Sequence, residues 1–141
     1  MVVARATGCT RELDGATRGA GEVGALSVSS QGISFVPVDD SGRALYNAIN
    51  WLDNRASVQA ERLARIFGSA GLFLRTGKRA SPSYTLPKLM WLKEERPEVY
   101  RGAWKFLMGL DFITHRLTGC CSGLPKASLL WLVETRIATM T

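Results

Sequence analysis

The sequence predicts an α/β domain, and three observations carry that expectation. Short runs of strand length, β-branched and apolar at residues 26–30 and 33–38 and apolar and aromatic at 104–108, punctuate the chain. Apolar residues recur at helical spacing over residues 56–67 and 87–95. The two patterns alternate along the chain, separated by Gly, Pro and Asp clusters, which is the order of strands crossing to helices and back. At 141 residues the chain has the length of one domain and enough apolar residues, 46%, to bury a core.

At the N-terminus, Val2, Ala6, Cys9 and Leu13 recur at helical spacing and predict an amphipathic helix that Asp14-Gly15 ends, followed by the glycine-rich Gly19-Ala20-Gly21. Residues 26–30 predict a buried strand that breaks at Gln31-Gly32, where an amide and a flexible residue arrive together. Residues 33–38 predict a second strand, closed by the turn cluster Asp39-Asp40-Ser41-Gly42. A third run, residues 44–51, leads into W-L-D-N-R. In extended chain, alternate positions share a face, so Trp51, Asp53 and Arg55 would project together as an aromatic, an acid and a base suited to a polyol.

Asp53 or Asn54 is placed to cap a helix that buries Ala56, Ala60, Leu63, Ala64 and Phe67, pairs Glu61 with Arg65 across one turn, and ends at Gly68. Residues 77–87 read as a loop. Pro87 opens the next helix, carrying Leu89, Met90 and Leu92, and Arg96-Pro97 stops it. Residues 104–108 predict another buried strand. Asp111 caps a short helix over residues 112–117 that Thr118-Gly119 ends.

Composition narrows the function classes. The net charge of +6 comes from Lys and Arg scattered singly, without a basic run or aromatic interleaving, so the chain reads as a solvated basic surface and not as a nucleic-acid binder. Neither a signal peptide nor a membrane-length apolar run is expected. Cys9, Cys120 and Cys121 are odd in number and lack C-x-x-C spacing, which points to neither a disulfide framework nor zinc and fits a cytoplasmic protein. His115, the only histidine, lacks a nearby Cys or acid pair and reads as a surface or packing residue. Trp91, Trp104 and Trp131 sit in apolar periodic segments and read as packing, whereas Trp51 alone has polar partners.

Several of these segments, in their order, resemble a known family. The succession strand, S-x-Q, strand, D-x-x-G turn and W-x-D-x-R is similar to the N-terminal domain of the FGGY carbohydrate kinases, which include xylulokinase, gluconokinase and glycerol kinase. Residues 87–94, P-K-L-M-W-L-K-E, with Pro97-Glu98 after them, resemble the family's P-K-L-x-W-L-x-E helix, and Asp111-Phe112-Ile113 with Leu117-Thr118-Gly119 resembles its D-Y-L…L-T-G segment. The match is best over residues 25–119, weak over 1–24 and divergent over 120–141.

The resemblance implies a partial ribonuclease-H-like (actin-like) N-terminal domain and an ATP- and Mg²⁺-dependent transfer of the γ-phosphoryl group to a sugar hydroxyl, with a xylulose-like ketose foremost. It implies that Gln31, Trp51, Asp53 and Arg55 line the sugar side of the cleft. The family's phosphate hairpin, catalytic Asp and most nucleotide contacts lie in parts this chain does not match, so no catalytic, nucleotide or metal residue is assigned, and the 141 residues alone are expected to be inactive. Where relatives follow the Gln with Met-His or Arg-Glu, this chain has Gly32 and Ile33, neither of which offers a side-chain hydrogen bond. The alternative from another class is a non-catalytic sugar-binding or interaction module. In the family sheet, residues 26–30 would lie centrally beside residues 104–108, and without the hairpin their open edge would favour a homodimer.

Overall fold

A computed structural model describes residues 25–120. The expected N-terminal helix, Cys9, Cys121 and Trp131 lie outside the described residues. The described residues mix strands and helices as expected of the α/β class, but the order is one strand, four helices, a second strand and a helix, not a regular alternation. The centre is β1 (Phe35–Val38), a four-residue strand buried at every position. It pairs antiparallel with β2 (Lys105–Met108), Phe35 opposite Met108 and Val38 opposite Lys105.

The other edge of β1 is covered by the chain that returns after the Asp39 turn. Leu45 N–H donates to Pro37 O at 2.9 Å, and Ile49 exchanges backbone bonds with Phe35 at 2.9 and 3.2 Å. Only two bridges form, Val38 with Ala44 and Phe35 with Ile49. Ala44 and Ile49 stand further apart in sequence than Val38 and Phe35, so the returning chain bulges between its two anchor points and the expected third strand is an interrupted edge.

β1 has both faces covered, because side chains alternate along it. Phe35 joins Phe106, Ile49, Leu89, Leu92 and Tyr100 on one face. Val36 and Val38 join Leu107 and Phe112 on the other. This explains a strand that reads as a continuous apolar run, and it places Phe106 edge-on to Phe35, ring centroids 5.8 Å apart.

Residues 26–30 differ from expectation. They are irregular, Leu26 is 56% exposed, and no described strand runs beside them. Lacking both a ladder for the backbone and a cover for the side chains, an apolar run has no reason to become a strand. The neighbour of β2 is β1 instead.

Helix α1 (Ser57–Phe67) buries Ala60 and Leu63 as expected and stops at Gly68. Its N-cap is Ala56, without a side-chain cap, because Asp53 is engaged elsewhere and Asn54 gives only its carbonyl, to Ser57 Oγ at 2.6 Å. Glu61 and Arg65 are both exposed. The ion pair of this helix joins Arg62 to Glu94, and Gln59 Nε2 donates to the same carboxylate at 2.7 Å. Glu94 lies on α3 (Thr85–Glu95), so these contacts dock α1 against α3.

Between them lies α2 (Ser69–Thr76), not foreseen in the sequence, which ends at left-handed Gly77. Pro87 falls inside the first turn of α3, where its missing N–H has no helical partner to lose. Pro97 stops α3 and begins α4 (Pro97–Gly102) at its first position. α5 (Gly109–Thr118) starts earlier than expected, and Asp111, expected at the cap, stands three residues inside and accepts the Met108 N–H at 3.3 Å. No helix of the described residues is long and apolar enough to cross a membrane.

The Asp39 turn is built from its carboxylate. Oδ1 accepts Ser41 Oγ at 2.6 Å and the N–H groups of Ser41 and Arg43 at 3.0 and 2.8 Å, and Oδ2 accepts Arg43 Nε at 3.1 Å. The Ser41 hydroxyl, followed by the Arg43 N–H, holds the Asp39 carboxyl at about 2. The folded value lies below the unfolded one of about 3.9, so this contribution is complete above the unfolded value and is lost as pH falls through the folded one. Asp39→Asn is expected to flatten the fall in stability between about pH 4 and pH 2, read as urea midpoints across a pH series. An unchanged slope would detach this turn from acid stability.

Candidate functional site

W-L-D-N-R is a turn, not an extended strand. Asn50 organises it: its side-chain Oδ1 accepts the Leu52 N–H at 3.0 Å and its carbonyl accepts the Asp53 N–H at 3.1 Å. Trp51, Asp53 and Arg55 therefore do not share a face by the strand alternation that the sequence predicted. Asp53 and Arg55 nonetheless meet, through a local ion pair. Asp53 Oδ1 accepts the Arg55 N–H at 3.0 Å, and Oδ2 faces Arg55 Nε at 2.8 Å and Nη2 at 2.7 Å.

Arg55 is fixed on three sides. Beyond Asp53, its Nη1 donates to the Tyr46 hydroxyl at 3.3 Å, and its guanidinium lies 4.6 Å from the centroid of the Trp91 ring. Arg96 approaches the same ring at 5.8 Å. Trp91 thus packs on the core by one part and carries two guanidinium groups by another, a role its apolar setting in the sequence did not suggest.

Trp51 is 44% exposed, and its backbone N–H donates to Ser34 Oγ at 3.0 Å. Ser34 closes the bend at Gly32-Ile33, in which Ile33 takes φ 67°, a left-handed conformation that a β-branched residue adopts only under constraint. Gln31 is exposed at the start of that bend. The Ser34–Trp51 bond ties the Gln31 loop to the Trp51 turn, while the side chains of Gln31 and Trp51 are not brought into a cluster with the Asp53–Arg55 pair.

Sequence reasoning missed Lys88. It is 0% exposed, and its Nζ donates to Asn50 O at 2.6 Å and to Ser83 O at 2.7 Å. The available signal was a single cation inside the apolar run L-P-K-L-M-W-L. Burial pushes the Lys88 ammonium down, and Asp53 opposes that shift. The Asp53 carboxyl is lowered first by its bond from the Arg55 side chain, with a smaller share from Lys88, and Arg55 is raised chiefly by Asp53. The turn therefore holds a carboxylate kept ionised beside a locked guanidinium, and separately exposes the Trp51 indole. Such a set can accept a hydroxyl hydrogen bond and stack on sugar C–H groups.

Two cavities, of about 450 and 300 Å³, open beside α2 and the loop after it, and none of Gln31, Trp51, Asp53 or Arg55 lines either. Among the described residues no three His, Cys, Asp or Glu side chains gather to hold a metal ion.

Comparison with known proteins agrees with the expected fold. The N-terminal domain of the FGGY family of carbohydrate kinases matches residues 8–132. Over 94 residues the chain is 35% identical to the xylulose kinase of Staphylococcus xylosus, covering 67% of this chain and 20% of that protein. Its identity to the L-fuculokinase of Escherichia coli is 33%, again over 94 residues and with the same two coverages. The crystal structure of ligand-bound xylulose kinase from Lactobacillus acidophilus aligns with a TM-score of 0.72 at 24% identity, over 87% of this chain and 28% of that one, a likeness of fold. The chain spans about a fifth of the length of the relatives it matches.

Proposed function

The chain belongs to the FGGY family of carbohydrate kinases, and from that premise we propose that residues 25–120 form the sugar-facing wall of a ketose kinase, with a xylulose-like sugar as substrate. The observation that carries the reading is the turn at residues 50–55, which holds the Asp53 carboxylate ionised on Arg55 and leaves the Trp51 indole exposed two residues before it, with Lys88 anchoring the turn at the Asn50 carbonyl. A carboxylate offers about four lone-pair sites, and the three contacts from Arg55 leave room for about one sugar hydroxyl. Trp51 supplies an apolar surface for the sugar's C–H face. Gln31, one bond removed from the turn through Ser34, adds an amide that can both donate and accept. Arg55 acts mainly by orienting Asp53.

Among the described residues no three acids, histidines or cysteines gather to hold a metal ion, and the Asp39 carboxylate is taken up by local donors. ATP, Mg²⁺ and the base that accepts the hydroxyl proton are assigned to a second domain of a cytoplasmic kinase. Residues 25–120 then bind and orient the sugar, which lowers the barrier by holding the hydroxyl in line.

The test is made in an intact kinase carrying this segment. Trp51→Ala and Asp53→Ala are each expected to lower kcat/KM for xylulose about 10- to 100-fold, about 1.4–2.7 kcal/mol, with KM for ATP unchanged. Sugar kinetics left intact while the melting temperature falls would reduce the turn to a structural element. Sugar binding without turnover in the intact protein would favour the non-catalytic module.

A further inference from the structure

We propose that Lys88 is a positioning residue for the sugar, whose buried ammonium locks the Trp51–Asp53 turn to the loop at residues 81–84 so that the two move as one surface. The inference rests on the sugar-site reading above but names a device that reading does not contain.

Lys88 donates to the carbonyls of Asn50 and Ser83, which lie 38 and 5 positions away in the chain. Both of these partners are neutral, and the Asp53 carboxylate that acts on the ammonium electrostatically is itself paired with Arg55. A fully buried cation held by neutral carbonyls is a poor way to stabilise a core, where an unbranched apolar side chain would serve with less desolvation. Its value therefore lies in geometry.

The Asn50 carbonyl is the shared node. It accepts both the Asp53 N–H at 3.1 Å, which closes the turn, and Lys88 Nζ at 2.6 Å. A carbonyl polarised by a cation and an N–H together is a fixed point from which Trp51 and Asp53 both depart. On the other side, Ser83 belongs to a small turn in which Tyr84 N–H donates to Ser81 O at 3.2 Å and Ser83 N–H to Ser81 Oγ at 3.3 Å. Pro87, immediately before Lys88, limits how the start of α3 can shift to compensate.

The discriminating variant is Lys88→Met, which keeps the unbranched stem and removes the charge and all donors. In the 141-residue chain, the amide signals of residues 50–53 and of residues 81–84 are expected to shift together, with those of β1 and β2 unchanged. In an intact kinase carrying the segment, KM for xylulose is expected to rise about 10-fold or more, with KM for ATP and the melting temperature nearly unchanged. A rise in both KM values, or sugar kinetics equal to wild type, overturns the proposal. So does a shift confined to one of the two segments.

If Lys88→Met does not fold, hydrogen exchange in the unmodified chain decides. The Asp53 and Tyr84 amides should open with the same protection, and protections differing 10-fold overturn the lock. Failure of the sugar reading is distinguished because it shows in Trp51→Ala and Asp53→Ala and leaves the coupled shifts in place.

Discussion

Phe106→Ala is expected to destabilise the domain by about 3–5 kcal/mol, the largest loss foreseen for a single side chain. Phe106 is 3% exposed and sits at the crossing of three elements. It meets Phe35 of β1 edge-on at 5.8 Å, and Tyr100 of α4 at 5.7 Å with the rings inclined by 32°. Leu89 and Leu92 of α3 belong to the same cluster. Truncation removes the ring that both aromatic partners pack on, and the strand cannot collapse to refill the space because its backbone is held in register by β1. Against a total stability of roughly 5–15 kcal/mol for a domain, a loss of this size leaves little margin. Thermal unfolding followed by circular dichroism should show a midpoint lower by about 12–20 °C, taking about 4 °C per kcal/mol. A loss below about 1 kcal/mol would mean that the β1–β2 face is not the core.

The same residues show what was legible in the sequence. Ala60 and Leu63 recur at helical spacing because one stripe of α1 meets α3, so their burial could be read from spacing alone. Residues 105–108 could be read because a short apolar run with an aromatic, between Gly102 and Gly109, has few alternatives to a strand. Residues 26–30 carry the same local signal and form no strand, since strand formation depends on a neighbour that local sequence does not encode. α2 was missed because Gly71 interrupts its apolar spacing and its length is two turns.

The candidate site was legible by residue but not by geometry. Asp53 was found on a premise of alternation that the turn at Asn50 removes, and its pairing with Arg55 survives because a carboxylate two residues before an arginine can reach both its N–H and its guanidinium in a turn as well. Lys88 was invisible because its partners are backbone carbonyls, and every residue has one. A buried cation inside an apolar run is the sequence signal that such contacts leave behind.

Gly42→Ala should be the second most damaging of the substitutions considered, and its partner is identifiable. Gly42 has φ +75°, closing the Asp39 turn with its N–H on Asp39 O at 3.0 Å. A Cβ there would stand 1.8 Å from His115 Nε2, 2.6 Å from Cδ2 and 2.8 Å from Cε1, so the whole imidazole must move. That ring is half-buried on α5, which itself packs on both strands, and its Nδ1 is already buried without a hydrogen-bond partner. The left-handed backbone contributes about 1–2 kcal/mol of loss for a residue with a Cβ, and the displaced ring about 1–3 kcal/mol more. The two parts separate in a double-mutant cycle. His115→Ala removes the collision and leaves the backbone penalty, so in that background Gly42→Ala should lose only about 1–2 kcal/mol. Denaturant unfolding of the four proteins gives the coupling directly. Additivity within about 0.5 kcal/mol would show that the imidazole does not rest on Gly42. The coupling has a functional reading as well, because the contact docks the Asp39 turn onto α5, and the chain returning from that turn runs through Ile49 into the turn that presents Trp51 and Asp53.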